Sequence, residues 1–296
     1  MKLTSLAVLT LVTTLSGGCA TTVSIRSMQP GAVAVGPARE LVLLGGEGRR
    51  SAREFVGQAL VQQCRTMGYF KLSDQSAEGH SVHVAGHQAS IQNGSLTLGP
   101  EQAGLWIDVL EWNAARDEEE VTHTSPTGKS VVERVPVMRG NALLAVTLFD
   151  PSGRAFLAET EYEGWASVRP DAPREEAIEQ AARNAIATLL REITPVQITT
   201  RVRLDDEDEG QEAILDTASA GATAQAARDL EAYVQQNPHS ASAAYNLAVL
   251  REALGDFHGA LEMYDRALSL GSKDYYSRAR AGCARRLAAA ESLSGP

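Results

Sequence analysis

The stretch 39-RELVLLGGEGRRSAREFVGQALVQQCRTMGYFKL-72 carries two periodicities in succession. Leu41–Leu44 is a short unbroken apolar run ended by Gly45-Gly46, the pattern of a buried strand. Ser51 can cap a helix that follows. Its apolar face is Phe55, Val56, Ala59, Leu60, Cys64 and Met67, at the three-and-four spacing of an amphipathic helix. Gly68 stops the helix and Tyr69–Leu72 begins another strand. A strand–helix–strand unit of this kind builds a sheet backed by helices.

Downstream the pattern becomes strand-rich. Ser81–Gly86 alternates Val82 and Val84 against His83. Leu105, Ile107 and Val109 face one way, and Trp106, Leu110 and Trp112 the other, as in a central strand covered on both sides. Val131–Met138 reads as a strand that Pro136 places near an edge. Asn141–Phe149 and Arg154–Ala166 flank Asp150-Pro151-Ser152-Gly153, whose proline and glycine positions specify a tight hairpin turn. Asp171 and Pro173 open a long helix with the stripe Ala177, Ile178, Ala181, Ala185, Ile186, Leu189 and Ile193, closed by Pro195. Val196–Val202 is a last strand that returns to the sheet. Upstream, Gly31–Val35 is the expected first strand, and Trp106, Trp112 and Trp165 are core or sheet-face residues.

The N-terminus has a different character. Lys2 precedes a short apolar run, Leu3–Leu15, and then Ser16-Gly17-Gly18-Cys19. A positive start, a run of roughly 7–15 apolar residues and a small-residue close form a secretory signal, too short for the ~20 residues that span a bilayer. The cysteine after two glycines resembles a bacterial lipoprotein signal, which implies that Cys19 is acylated and becomes the first residue. An ordinary cleaved signal with an incidental cysteine is the alternative. Ala20, where an Asp would signal retention, implies the outer membrane in a Gram-negative cell.

Composition limits what the mature chain can be. At 44% hydrophobic and 22% charged it can bury a proper core. The net charge of −10 becomes −11 once Lys2 leaves with the signal. That balance argues against nucleic acid, which rewards clustered Lys and Arg, and against anchoring by anionic headgroups. The acyl chains are therefore the expected membrane anchor. Cys64 and Cys283 sit inside helical apolar patterns and read as buried thiols, not as a disulfide.

Leu204–Gly210 is a block of like charge and the natural boundary, a solvated linker. Beyond it the texture is alanine-rich helix. Gly221 precedes Gly255, Ala226 precedes Ala260 and Pro238 precedes Ser272, each by 34 positions. Leu247, Ala248, Gly255, Asp256, Phe257, Ala260, Leu261, Tyr264, Ala267 and Leu270 then resemble the tetratricopeptide pattern of paired antiparallel helices. Glu212–Pro238 is a degenerate first repeat, Ser242–Ser272 a second, and Asp274–Ser292 a closing helix. Arg251 and Ser272 depart from the family. By register the resemblance implies a partner-binding face of Ser242, Tyr245, Asn246, Val249 and Glu252. The alternative is that these residues meet the protein's own first domain.

The fold class expected is therefore α+β, with helices packed on a mixed, largely antiparallel sheet, followed by an all-α tetratricopeptide helical-hairpin array. The divisions are a signal at 1–18, a linker at 19–30, an α+β domain at 31–203, an acidic linker at 204–210 and repeats at 211–296. The layout of roughly residues 23–202 resembles the curli-secretion lipoprotein family, with its anticodon-binding-like α/β fold. The features that carry this are Cys19, Leu41–Leu44, Ser51–Met67, Tyr69–Leu72 and Arg174–Ile193. Channels of that family insert amphipathic hairpins. The corresponding loop here, Asn113–Ser130, holds Asp117-Glu118-Glu119-Glu120 and is too charged to face lipid, so no pore is expected.

Chemistry is sparse. His80, His83 and His87 form the sole histidine cluster, but on a strand His80 faces away from the other two and no carboxylate or cysteine completes a shell. Asp205, Glu207, Glu209, Gly210 and Asp216 only distantly follow a calcium loop. There is no nucleophile elbow, phosphate loop or dinucleotide fingerprint. No metal, cofactor or catalytic residue is expected. The reading is a non-catalytic, membrane-anchored scaffold or assembly lipoprotein that binds envelope proteins through its repeats and is able to self-associate. The alternative is an envelope enzyme or small-ligand binder with its site in the α+β domain.

Overall fold

The computed structural model describes residues 21–78, 82–85, 88–91, 98–124 and 128–294. The signal, Cys19, His80 and His87 lie outside the described residues. The chain divides into two units, one of Met28–Ile198 with the residues from Ala288 onward, the other of Thr199–Leu287 with the N-terminal residues up to Ser27.

The first described strand, β1 (Thr22–Gln29), replaces part of the expected linker. Val23, Ile25 and Ser27 are buried and alternate with exposed neighbours, the period of a strand. Gly31–Val35 is not a strand. There the chain passes the end of a helix so closely that a Cβ on Gly31 would lie 2.1 Å from the Glu192 carbonyl oxygen.

The strand–helix–strand unit is β2 (Glu40–Gly45), α1 (Arg50–Met67) and β3 (Lys71–Asp74). Arg49 stands at the N-cap of α1 with no side-chain cap, where Ser51 was the expected cap; Gly68 ends the helix at φ 70°. Leu41 and Leu43 pack with Val56, Leu60 and Cys64 of α1, each burial stabilising by about 1.5–3 kcal/mol. Val42 and Leu44 point to a smaller cluster on the opposite face with Trp106 and Phe149.

After the short hairpin β4 (Val82–Ala85) and β5 (Gln88–Ile91) come three long strands, β6 (Gln102–Thr124), β7 (Ser130–Phe149) and β8 (Ala155–Val168). The sheet order is β3-β2-β6-β7-β8, with β2 parallel to both neighbours and β6, β7 and β8 antiparallel. The turn at 150–153 forms as expected. Asp150 Oδ1 accepts from the Ser152 and Arg154 N–H groups, and Gly153 adopts φ +79°.

A register shift between Val109 and Glu111 corrects the assignment of faces along β6. The extra residue turns Trp112 to the helix side, where it meets Phe55 edge-on at 5.7 Å, and leaves Leu110 exposed. Helix α2 (Arg174–Ile193) buries the predicted stripe. It lies hard against β7 and β8, because Gly140 and Gly164 have no side chain to hold it off. A Cβ on Gly140 would come 2.2 Å from the Ala177 carbonyl, and one on Gly164 2.0 Å from that of Ala181.

Strand β9 (Val196–Arg203) does not return to the main sheet; it pairs with β1 in a separate two-stranded sheet. The helical unit follows as α3 (Glu212–Ser219), α4 (Thr223–Gln236), α5 (Ala241–Ala253), α6 (Phe257–Leu270) and α7 (Asp274–Ser294). Val23, Ile25 and Leu204 join its core with Leu230, Tyr245, Leu247, Tyr264 and Tyr276. Cys64 and Cys283 are free and buried, and no helix among the described residues is long and apolar enough to cross a membrane.

Candidate functional site

Helix α5 begins where the Ser240 side chain accepts from the Ala243 N–H. From that cap Ser242, Tyr245, Asn246, Val249 and Glu252 share a face. They do not line an open groove. Their exposures are 9, 1, 0, 0 and 1%, so a partner reaches none of them in this state. Over Ser242, Tyr245 and Asn246 the bonded cover is the chain's own residues 203–211. Val249 belongs to the helical core, and Glu252 is bonded by Tyr264 and Arg286. The expected solvated linker is partly core. Leu204 and Asp205 are both fully buried.

Asn246 holds the backbone of that segment. Its Oδ1 accepts from the Asp205 N–H at 2.7 Å, and its Nδ2 donates to the Asp205 carbonyl at 2.8 Å and to Gln211 Oε1 at 2.9 Å. Tyr245 donates to the Arg203 carbonyl at 2.8 Å. Gln211 donates to Ser242 Oγ and to Asp208, at 2.7 and 2.8 Å. These bonds read backbone and amide geometry, so they leave little buried polarity unpaired.

The Asp205 carboxylate enters a basic and phenolic cradle. Lys273 Nζ lies 2.6 Å from Oδ2, Tyr275 donates at 2.8 Å, and Tyr276 donates to the same oxygen. Tyr276 is stacked on Tyr245 with ring centres 4.2 Å apart. Burial alone would raise the Asp205 pKa, but the donors from Lys273, Tyr276 and Tyr275 outweigh it and hold the carboxyl below its ordinary range. The same burial, with Asp205 beside it, pushes Tyr276 well above the usual phenol range. At the other end of α5, buried Glu252 accepts from Tyr264 at 2.8 Å and from Arg286 Nε at 2.5 Å. The pair is satisfied on both sides, and removing one partner of such a pair costs about 3–5 kcal/mol.

The α+β unit offers two further features. Residues 113–124 are strand, not the expected charged loop. Beyond the Met138–Val168 rung, β6 and β7 continue as a two-stranded ribbon from Asp117–Val137 to Thr124–Ser130. No third strand pairs with it among the described residues. Cross-strand ion pairs stitch it, Arg139–Asp117 at 2.6 Å and Arg134–Glu120 at 3.0 Å, while Val121, Val131 and Val132 are exposed. Pro136 sits on this stretch of β7 opposite Glu118, beyond the last rung that β7 shares with β8, the edge setting in which a strand proline is found. The second feature is a cleft of about 660 Å³ at the carboxyl ends of β2 and β3, lined by Gly45, Gly46, Arg50, Arg53, Glu54 and Asp74.

Among the described residues no cluster of His, Cys, Asp and Glu is placed to hold a metal. Lys273, Tyr275 and Tyr276 match no site motif in the sequence, and Asp205 entered only as the first position of the distant calcium-loop spacing. Their signal was Leu204, an apolar residue inside the acidic block, and the Lys-Asp-Tyr-Tyr run that opens α7. Of the tryptophans, Trp106 is core, Trp112 packs on Phe55, and Trp165 is 63% exposed on the sheet.

No protein family matches the chain, and no curated protein does. Among solved structures it is similar to PelC from Paraburkholderia phytofirmans, in two structures described as dodecamers. The identities are 14 and 13%, and the TM-scores 0.27 and 0.28; the match covers 57% of this chain and 96% of PelC.

Proposed function

We propose that the chain is an envelope lipoprotein, tethered to the outer membrane through Cys19 and facing the periplasm, that acts as a non-catalytic scaffold or assembly factor. In this reading α3–α4 and α5–α6 are tetratricopeptide repeats closed by α7, and the docking surface is the β6–β7 ribbon of the α+β unit. The ribbon is the observation that carries it. A two-stranded hairpin is marginal in water by itself, and an unpaired strand edge is a template for another chain. The partner is another envelope protein or a second copy.

The test replaces residues 117–137 by a two-residue turn and compares the shortened and full chains by cross-linking mass spectrometry from solubilised membranes. Loss of specific envelope partners, or of self-association, supports the ribbon as the docking element. Unchanged partners overturn that role. One observation favours a second reading, a small-ligand binder: the cleft beside α1 sets Arg50 and Arg53 against Glu54 and Asp74.

A further inference from the structure

We infer that the helical unit is a receptor for an extended acidic peptide, and that the chain's own Arg203–Gln211 fills it in cis as a displaceable occupant. The inference rests on the scaffold reading only in that a receptor needs an incoming partner. Its own basis is the geometry around α5.

Residues 204–208 are neither helix nor strand and lie along α5, with the Asp205 carboxylate also accepting from the Glu207 N–H at 3.2 Å. Recognition uses three kinds of contact. Asn246 forks onto the Asp205 backbone, with its N–H 2.7 Å away and its carbonyl 2.8 Å away. Tyr245 holds the Arg203 carbonyl. A single carboxylate, that of Asp205, receives Lys273, Tyr275 and Tyr276. Backbone contacts supply affinity and the carboxylate pocket supplies selectivity, the division of labour by which proteins read extended peptides. Any extended chain presenting an Asp at that position can make the same bonds.

Charge complementarity names the chemistry. Lys273 also reaches Glu207 at 2.8 Å, and Arg203 stacks its guanidinium over Tyr275 at 5.6 Å. The pocket therefore presents a cation beside two phenols to a segment reading Asp-Asp-Glu-Asp-Glu. The tether keeps the occupant at an effective concentration on the order of millimolar. A competing acidic peptide binds weakly until the cis bonds are loosened.

The experiment uses the full chain and a labelled peptide of residues 201–211, with fluorescence anisotropy as the readout. Asp205→Ala in the chain weakens the occupant and leaves the pocket intact. The expected result is that this variant binds the peptide roughly tenfold or more tighter than the unmodified chain, since the competing cis state is depopulated. Adding Asn246→Ala abolishes the binding, as does replacing the peptide's own Asp205 by Ala. Equal binding to both chains overturns the inference, and so does no binding to an Asp205→Ala chain that keeps its helical circular dichroism. Loss of that helical signal in Asp205→Ala also overturns it, because the segment is then an indispensable part of the core. The assay needs no envelope partner, so it fails or succeeds independently of partner capture by the ribbon.

Discussion

The side-chain amide of Asn246 closes two hydrogen bonds on the backbone of Asp205, a residue 41 positions upstream, and both groups are fully buried. This fork fastens the acidic block to α5. Asn246→Ala strands a buried N–H and a buried carbonyl, each worth about 1–3 kcal/mol when left unpaired. We expect a destabilisation of about 2–4 kcal/mol, measured by urea denaturation followed by far-ultraviolet circular dichroism. A change below about 0.5 kcal/mol, typical of surface substitutions, would remove the fork from the account.

The Asp205 carboxyl is held below its ordinary range by Lys273, Tyr276 and Tyr275 against the opposing effect of burial. A depressed folded pKa contributes stability that is present above the unfolded value, about 4. That contribution disappears as pH falls through the folded value. Stability of the helical unit is therefore expected to drop on acidification below about pH 4. In Asp205→Asn that share is already absent at neutral pH, so its acid limb is flatter. Parallel limbs in the two proteins would contradict the assignment.

Gly140 and Gly164 set the distance between α2 and the sheet. Alanine at either puts a methyl group 2.2 or 2.0 Å from a backbone carbonyl of the helix, which cannot rotate away. Each substitution is expected to cost about 1–3 kcal/mol as an overpacking strain. Urea midpoints of the two variants check this, and an unchanged midpoint would mean that the helix sits further off.

Cys64 and Cys283 are buried, and burial pushes their thiols up to about 11 and about 12. The thiolate is the reactive form. Both cysteines are expected to resist a disulfide reagent in the native protein at neutral pH and to react on unfolding. Rapid modification of either thiol in the folded chain would place it at the surface.

Trp165 is 63% exposed, whereas Trp106 is buried and Trp112 is packed on Phe55. Iodide is expected to quench mainly Trp165, and Trp165→Phe to remove most of the quenchable emission. Its effect on stability should stay within about 0.5 kcal/mol, as for a surface site. Unaltered quenching in that variant would mean that another indole is exposed.

Local chemistry was enough for much of this architecture. The stripe from Ala177 to Ile193, the Asp150–Gly153 turn, the run Leu41–Leu44 before Gly45 and the helix bounded by Gly68 each depend on neighbours a few residues away. Beyond Gly210 the alanine-rich texture likewise announces helix, and Ser240 and Asp256 cap α5 and α6 from within two residues of their starts. Other features depend on partners far along the chain. The bulge at Leu110 reverses the face of Trp112, and no neighbour of Trp112 announces it. Strand β9 has the composition to join either sheet, and β1 receives it. Asn113–Thr124 reads as a charged loop until β7 supplies Arg134 and Arg139 across the ribbon. Asp205 looks like one more solvated acid in a like-charged run. Only the fold brings Asn246, Lys273, Tyr275 and Tyr276 around it, and burial of a charge is decided by the donors that tertiary contact collects there.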